Sequence, residues 1–128
     1  NGVMTDYSNH DSNIINVIVD GNYINFDTKP QFVNGRTMVP VRAIFEALGA
    51  NVTWDDKTKT ATGILDGTTV KITIGASYLL KNGEKVELDS PAFIKSGRTY
   101  VPARAIAESY NCNVEWDGNT KTVTIRSK

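Results

Sequence analysis

Gly35-Arg36-Thr37-Met38-Val39-Pro40-Val41-Arg42-Ala43-Ile44 returns 62 positions later as Gly97-Arg98-Thr99-Tyr100-Val101-Pro102-Ala103-Arg104-Ala105-Ile106. Downstream, Asn51-Val52-Thr53-Trp54-Asp55 matches Asn113-Val114-Glu115-Trp116-Asp117, and Thr58-Lys59-Thr60 matches Thr120-Lys121-Thr122. Of the 28 positions from 35 to 62, 17 are identical to their partners, and Gly, Pro and Trp keep the same spacing. One unit therefore occurs twice. The repeats are placed at about 17–66 and 79–128 of a single domain spanning 14–128, and residues 1–13 read as a flexible leader.

Each unit has a physical reading. Asn16 to Val19 is a short β-branched strand, Asp20-Gly21 a hairpin turn, and Tyr23 to Phe26 the return strand. The second unit repeats this with Leu79-Leu80, Asn82-Gly83 and Val86 to Leu88. An irregular link containing Pro30 or Pro91 follows, then Gly35-Arg36-Thr37 or Gly97-Arg98-Thr99, read as a turn into a helix. Pro40 and Pro102 fit the first helical turn, where no N–H is required. Val41, Ile44, Phe45 and Leu48 recur at i, i+3, i+4 and i+7 and give one apolar face, which Ile106, Ala107 and Tyr110 copy. Gly49 ends the first helix in the left-handed region, and its partner Asn111 is the next most tolerant residue there.

After the helix, Asn51 to Trp54 and Lys59 to Leu65 form a hairpin, and Asp66-Gly67 turns into Thr69 to Ile74. Asn113 to Trp116 and Lys121 to Arg126 form the matching hairpin at the end of the chain. Four turns, at Asp20-Gly21, Asp66-Gly67, Asn82-Gly83 and Asp117-Gly118, predict antiparallel meanders. Two helices are too few for a parallel βαβ topology. The fold class is α+β: two tandem pseudo-symmetric units, an antiparallel meander sheet with two helices packed on one face.

Composition bounds the chemistry. In 128 residues, 14 Lys and Arg balance 14 Asp and Glu, so the long-range field that nucleic-acid binding relies on is missing. The longest apolar run is three residues, such as Val17 to Val19, which excludes a membrane helix and an intact signal peptide. One cysteine cannot close an intrachain disulfide, and one histidine with one cysteine supplies too few ligands for a His/Cys metal site. His10 lies in the polar leader, where nothing holds an imidazole rigidly. Cys112 aligns with the small Ala50 and reads as a packed, inert side chain.

Several motif residues carry two readings. Arg42 with Glu46, and Arg104 with Glu108, are either carboxylates poised for acid–base work or i,i+4 ion pairs holding each helix against the sheet; the ion-pair reading is preferred, because each carboxylate comes with its own cation. Arg36 and Arg98 either clamp an anion or brace the turn by capping carbonyls, and bracing is preferred. Trp54 and Trp116 either stack on sugars or fill equivalent core positions, and the core reading is preferred because their placement is identical. Tyr7, Tyr23, Tyr78 and Tyr100 are the better candidates for a glycan surface. Asp55-Asp56 and Asp117-Gly118-Asn119 read as hairpin turns rather than calcium loops, since Lys57, Lys59 and Lys121 interrupt them. Asn51-Val52-Thr53 matches a glycosylation sequon but falls in a strand.

The pattern resembles the copper amine oxidase N-terminal domain, or stalk domain, family: an Asn-Gly-like hairpin, Gly-Arg-Thr-x-Val-Pro-x-Arg, a helix ending in Glu-x-Leu-Gly, and Val-x-Trp-Asp before a hairpin. It is complete at Gly35 to Asp55 and repeats at Gly97 to Asp117, with Ser109-Tyr110-Asn111 replacing Ala-Leu-Gly. The resemblance implies helices on one side of an antiparallel sheet in a secreted or surface-attached bacterial protein. In the oxidases the copper and quinone belong to a different domain, so no metal or cofactor carries over. The expected role is a non-catalytic extracellular spacer or interaction module contacting other extracellular domains or cell-wall components, with homodimerisation through edge strands open. A carbohydrate-binding module for cell-wall or plant polysaccharide is the first alternative, and a carboxylate-dependent hydrolase the second. The non-catalytic reading requires that Trp54, Glu46, Trp116 and Glu108 not meet in one open pocket.

Overall fold

Hairpins organise the fold that the computed structural model describes for residues 15–26 and 28–127. In chain order, strands β1 (Asn16–Val19) and β2 (Asn22–Tyr23) are joined by Asp20-Gly21, and β3 (Gln31–Val33) and β4 (Arg36–Pro40) by Asn34-Gly35. Helix α1 (Val41–Ala47) follows β4 directly, then β5 (Asn51–Asp55), β6 (Thr60–Leu65) and β7 (Thr68–Thr73). The second half runs β8 (Tyr78–Lys81), β9 (Glu84–Glu87), β10 (Phe93–Lys95), β11 (Arg98–Pro102), α2 (Ala103–Ser109), β12 (Asn113–Asp117) and β13 (Thr122–Arg126). Among the described residues the chain is mostly sheet with two short helices, an α+β architecture.

Three of the four expected turns form as read. Asp20-Gly21, Asp66-Gly67 and Asn82-Gly83 have both residues at positive φ, as a two-residue hairpin requires. Asp117-Gly118 does not turn that way. Asp117 ends β12, and its carboxylate accepts hydrogen bonds from the backbone N–H groups of Asn119 (2.9 Å) and Thr120 (3.3 Å). Asp55 does the same for Lys57 and Thr58. Those carboxylates organise their own loops, as the turn reading of both segments anticipated.

The segments read as irregular link and turn are strands. Asn34-Gly35 and Ser96-Gly97 are further positive-φ turns, and β3–β4 and β10–β11 are the hairpins they close. Arg36-Thr37 and Arg98-Thr99 thus open strands that run straight into the helices. Pro40 and Pro102 end those strands at the helix N-cap, with φ of −58° and −70°. Both helices finish as expected. Gly49 (φ +92°) and Asn111 (φ +64°) are left-handed. Gly49 N–H reaches Glu46 O and Ala50 N–H reaches Phe45 O, and Asn111 and Cys112 repeat the pair on Glu108 O and Ala107 O.

Three sheets replace the single antiparallel meander expected. Their orders are β12-β13-β1-β2, β10-β11-β4-β3 and β5-β6-β7-β8-β9. In the middle one, β4 and β11 pair antiparallel with Val39 opposite Val101, Pro40 opposite Tyr100 and Met38 opposite Pro102. One pair, β1 with β13, is parallel, with Val17 opposite Val123 and Val19 opposite Ile125. The expectation of antiparallel pairing alone fails there for a geometric reason. In the five-stranded sheet β7 lies between β6 and β8 and reverses the chain. No described strand plays that part beside β13, so β1 docks on it directly and in the same direction. No βαβ unit is involved. The hairpin β1–β2 thereby joins the sheet of β12–β13, while β8–β9 joins that of β5–β6.

The buried core gathers Val17, Val39, Ile44, Phe45, Val70, Ile72, Leu79, Val101, Ile106, Ala107 and Ile125 from both halves. Each helix packs against β4 and β11 and against the strand that follows it. Phe45 faces Gly63 in one half, and the residues 62 positions on are Ala107 and Ile125. Cys112 is buried beside this core, as the alignment with Ala50 anticipated.

Candidate functional site

The ten motif residues converge on two grooves. The first, of about 530 Å³, takes Arg36 from the start of β4, Pro102 from the end of β11, and Arg104, Glu108 and Trp116 from α2 and β12. The second, of about 550 Å³, takes Arg98 from the start of β11, Pro40 from the end of β4, and Arg42, Glu46 and Trp54 from α1 and β5. Each groove therefore receives its Gly-Arg-Thr arginine from one half and its helix and tryptophan from the other. The crossing of β4 and β11 in the middle sheet causes this, because it carries each arginine to the opposite helix. Sequence reasoning read these residues as separate braces. That they line common grooves was hidden until the β4–β11 register was known.

Each groove holds one helix carboxylate and one tryptophan, so the four residues do not meet in one pocket. Arg42 lies 3.6 Å from Glu46, and Arg104 donates to Glu108 at 3.1 Å. Both are the i,i+4 pairs expected. Both are solvent-exposed, so they do not grip the sheet, and each contributes at most about 0.5 kcal/mol. Arg36 does more than brace its turn. Its Nη1 donates to Gly35 O at 3.4 Å, while Nε and Nη2 both donate to Asp89 Oδ2, 53 residues away in the chain. Sequence reasoning missed Asp89, which no local spacing relates to Arg36.

The tryptophans depart from the expected equivalent core positions. Trp54 is half-buried, and its indole N–H donates to Asp56 Oδ1 at 3.4 Å. Asp56 also accepts from Lys59 Nζ at 3.0 Å, and these two contacts hold its carboxyl below the usual range. Trp116 is 38% exposed and stacks on Phe32, itself 55% exposed, with ring centroids 5.6 Å apart and planes 23° apart. The cause of the difference is local. The residue matching Asp56 is Gly118, which offers no acceptor to the indole, and the residue matching Phe32 is Ile94.

The other candidates separate clearly. Tyr23 is 68% exposed. Tyr78 is half-buried with Lys85 Nζ 4.5 Å from its ring centre. Tyr100 is only 3% exposed, donates to Lys29 O at 3.0 Å and stacks on Phe93, so it belongs to the core and not to a glycan surface. Tyr7, His10 and the 1–13 leader lie outside the described residues. Tyr110, read as an apolar-face residue, also reaches across to donate to Gly63 O at 2.6 Å, and burial pushes its hydroxyl pKa upward.

Among the described residues no group of three or more His, Cys, Asp or Glu could hold a metal ion, and Cys112 is enclosed in the core. No described helix is long and apolar enough to cross a membrane.

The family model described as the copper amine oxidase N-terminal domain matches residues 18–125. A primary amine oxidase from Klebsiella aerogenes is 32% identical over 88 residues, which cover 67% of this chain and 12% of that relative. The chain belongs to the copper amine oxidase N-terminal domain family, and it spans about an eighth of the length of that oxidase.

Proposed function

We propose that this chain is a non-catalytic extracellular module of a bacterial cell surface, acting as a spacer and interaction domain for neighbouring domains or cell-wall components. The observation that carries the reading is the pairing of Glu46 with Arg42 and of Glu108 with Arg104 in two separate grooves. Each helix carboxylate is engaged by its own guanidinium, and the two lie in different grooves, so they do not form the close carboxylate pair that acid–base work between them would need. The family match points the same way, since it is to the N-terminal domain and not to a catalytic one.

Windows 17–66 and 79–128 are, on this reading, two copies of one ancestral unit. Supporting it are the identical motif spacing and a β4–β11 register in which Val39 faces its own counterpart Val101. A module whose copies exchange hairpins resists being pulled apart piecemeal, which suits a spacer. The edge strand β9, with all four residues exposed, is a further surface through which two copies could pair.

Protease shaving of intact source cells, followed by detection of the chain's peptides, tests the compartment. Release of the peptides from intact cells is expected. Their confinement to the cytosolic fraction would overturn the proposal.

A further inference from the structure

The two grooves are built from residues at the same five motif positions, five residues in each, so what differs between them is not required by the motif. They differ at the tryptophan end, and the first groove also takes Lys81, Val86, Glu87, Leu88, Asp89 and Ser90 from β8, β9 and the segment that follows. In the first groove Trp116 is exposed and stacked on exposed Phe32; in the second Trp54 is half-buried and tied to Asp56. Gly118 in place of Asp56 brings no side-chain acceptor to the indole N–H edge, which a Cβ there would already touch at 3.6 Å from Nε1. Phe32 in place of Ile94 supplies the second ring. The stacked pair leaves two aromatic rings partly open to solvent at this groove.

The polar lining says what would cover them. Arg36, Lys81 and Arg104 are balanced by Glu87, Asp89 and Glu108, so the groove carries no net charge and does not select an anionic or cationic ligand. Arg36–Asp89 and Arg104–Glu108 each set guanidinium donors beside carboxylate acceptors. Vicinal hydroxyls, each both donor and acceptor, complement such pairs. A proline-rich peptide, the other familiar guest of aromatic grooves, offers carbonyl acceptors and few donors, leaving the carboxylates unanswered. Sugars with equatorial hydroxyls also present flat C–H faces to the electron-rich face of an aromatic ring. A volume of about 530 Å³ lies within the range of small-ligand sites.

We propose that the first groove binds an uncharged oligosaccharide of equatorial-hydroxyl sugars, stacked on the Trp116–Phe32 rings and hydrogen-bonded by Arg36–Asp89 and Arg104–Glu108. This deepens the interaction-module reading by naming its partner. The second groove is the internal control.

Cellohexaose and chitohexaose are titrated into the whole chain by calorimetry, with decaproline in parallel. At least one hexaose is expected to bind saturably. Trp116→Ala and Phe32→Ala should each weaken it by about tenfold or more, while Ile94→Ala leaves it unchanged. Gly118→Asp, which supplies the indole with the acceptor found in the other groove, should weaken binding while preserving the unfolding temperature, so a loss there does not reflect misfolding. Saturable binding of neither hexaose, binding of decaproline alone, or binding insensitive to Trp116 and Gly118 would overturn the proposal. None of these outcomes bears on the cell-shaving result, which tests the module reading separately.

Discussion

Phe45 fills the space in which a side chain on Gly63 would begin: a Cβ there would lie 2.4 Å from the Cδ1 and Cε1 atoms of the ring. Gly63 is needed for this close approach rather than for a left-handed backbone. Gly63→Ala is expected to destabilise the chain by about 1–3 kcal/mol through overpacking. Adding Phe45→Leu should recover part of that loss. Urea unfolding of the single and double variants measures the coupling, and strictly additive effects would contradict the packing argument.

Tyr110 closes the same cluster from the other helix, edge-on to Phe45 and bonded to Gly63 O. Tyr110→Phe leaves that carbonyl without its hydroxyl donor and is expected to cost about 1 kcal/mol. The pH dependence has a definite sign. The folded hydroxyl titrates above the ordinary tyrosine value of roughly 10, so the unfolded chain ionises first. The stabilisation is fully present below that value and is lost as pH rises through the folded pKa. Wild-type unfolding temperature should therefore fall more steeply above pH of about 10 than that of Tyr110→Phe.

At the acid end the sign reverses. Asp20 in the first hairpin turn accepts hydrogen bonds from Ser127 Oγ at 2.6 Å and Ser127 N–H at 2.8 Å, and these hold its carboxyl below the usual range. Its contribution is present above the ordinary value of about 3.9 and disappears as pH falls through the folded pKa. Asp20→Asn keeps a residue that tolerates φ of +48° but removes the charge. Melting curves from neutral to acid pH should show a shallower decline in this variant. Identical slopes would show that Asp20 carries no part of the acid sensitivity.

Arg36 and Asp89 connect segments 53 residues apart on the surface. Both side chains are well exposed. A double-mutant cycle with Arg36→Ala and Asp89→Ala should give a coupling of at most about 1 kcal/mol. The coupling should shrink towards zero in about 1 M salt, where the screening length is short. A larger, salt-independent value would mean that the pair is shielded from solvent in solution.

Legibility followed the range of the forces involved. The helices were readable because Pro40, the apolar spacing and the Gly49/Asn111 pair are local signals. Three hairpin turns were readable for the same reason, and Cys112 could be placed from its alignment with Ala50. Strands β4 and β11 were missed because Gly35-Arg36-Thr37 was read as a turn, although Asn34-Gly35 carries the same turn signal as Asn82-Gly83. The parallel pairing of β1 with β13 was not readable, since it joins residues about a hundred positions apart. The grooves were half readable. Repetition marked their ten residues, but only the β4–β11 register brings each arginine to the other half's helix. Trp116 was misplaced because identity with Trp54 outweighed the Asp56-to-Gly118 change two residues later, the one sequence signal that separates the two rings.

The central claim is that the repeated residues support a binding module and perform no bond-breaking chemistry. The most direct test incubates the purified chain, and its Glu46→Gln/Glu108→Gln variant, with peptidoglycan, cellulose, chitin and primary amines, and follows released reducing ends and hydrogen peroxide. The account predicts no product above buffer from either protein. Sustained release by the wild type that the double variant abolishes would contradict it.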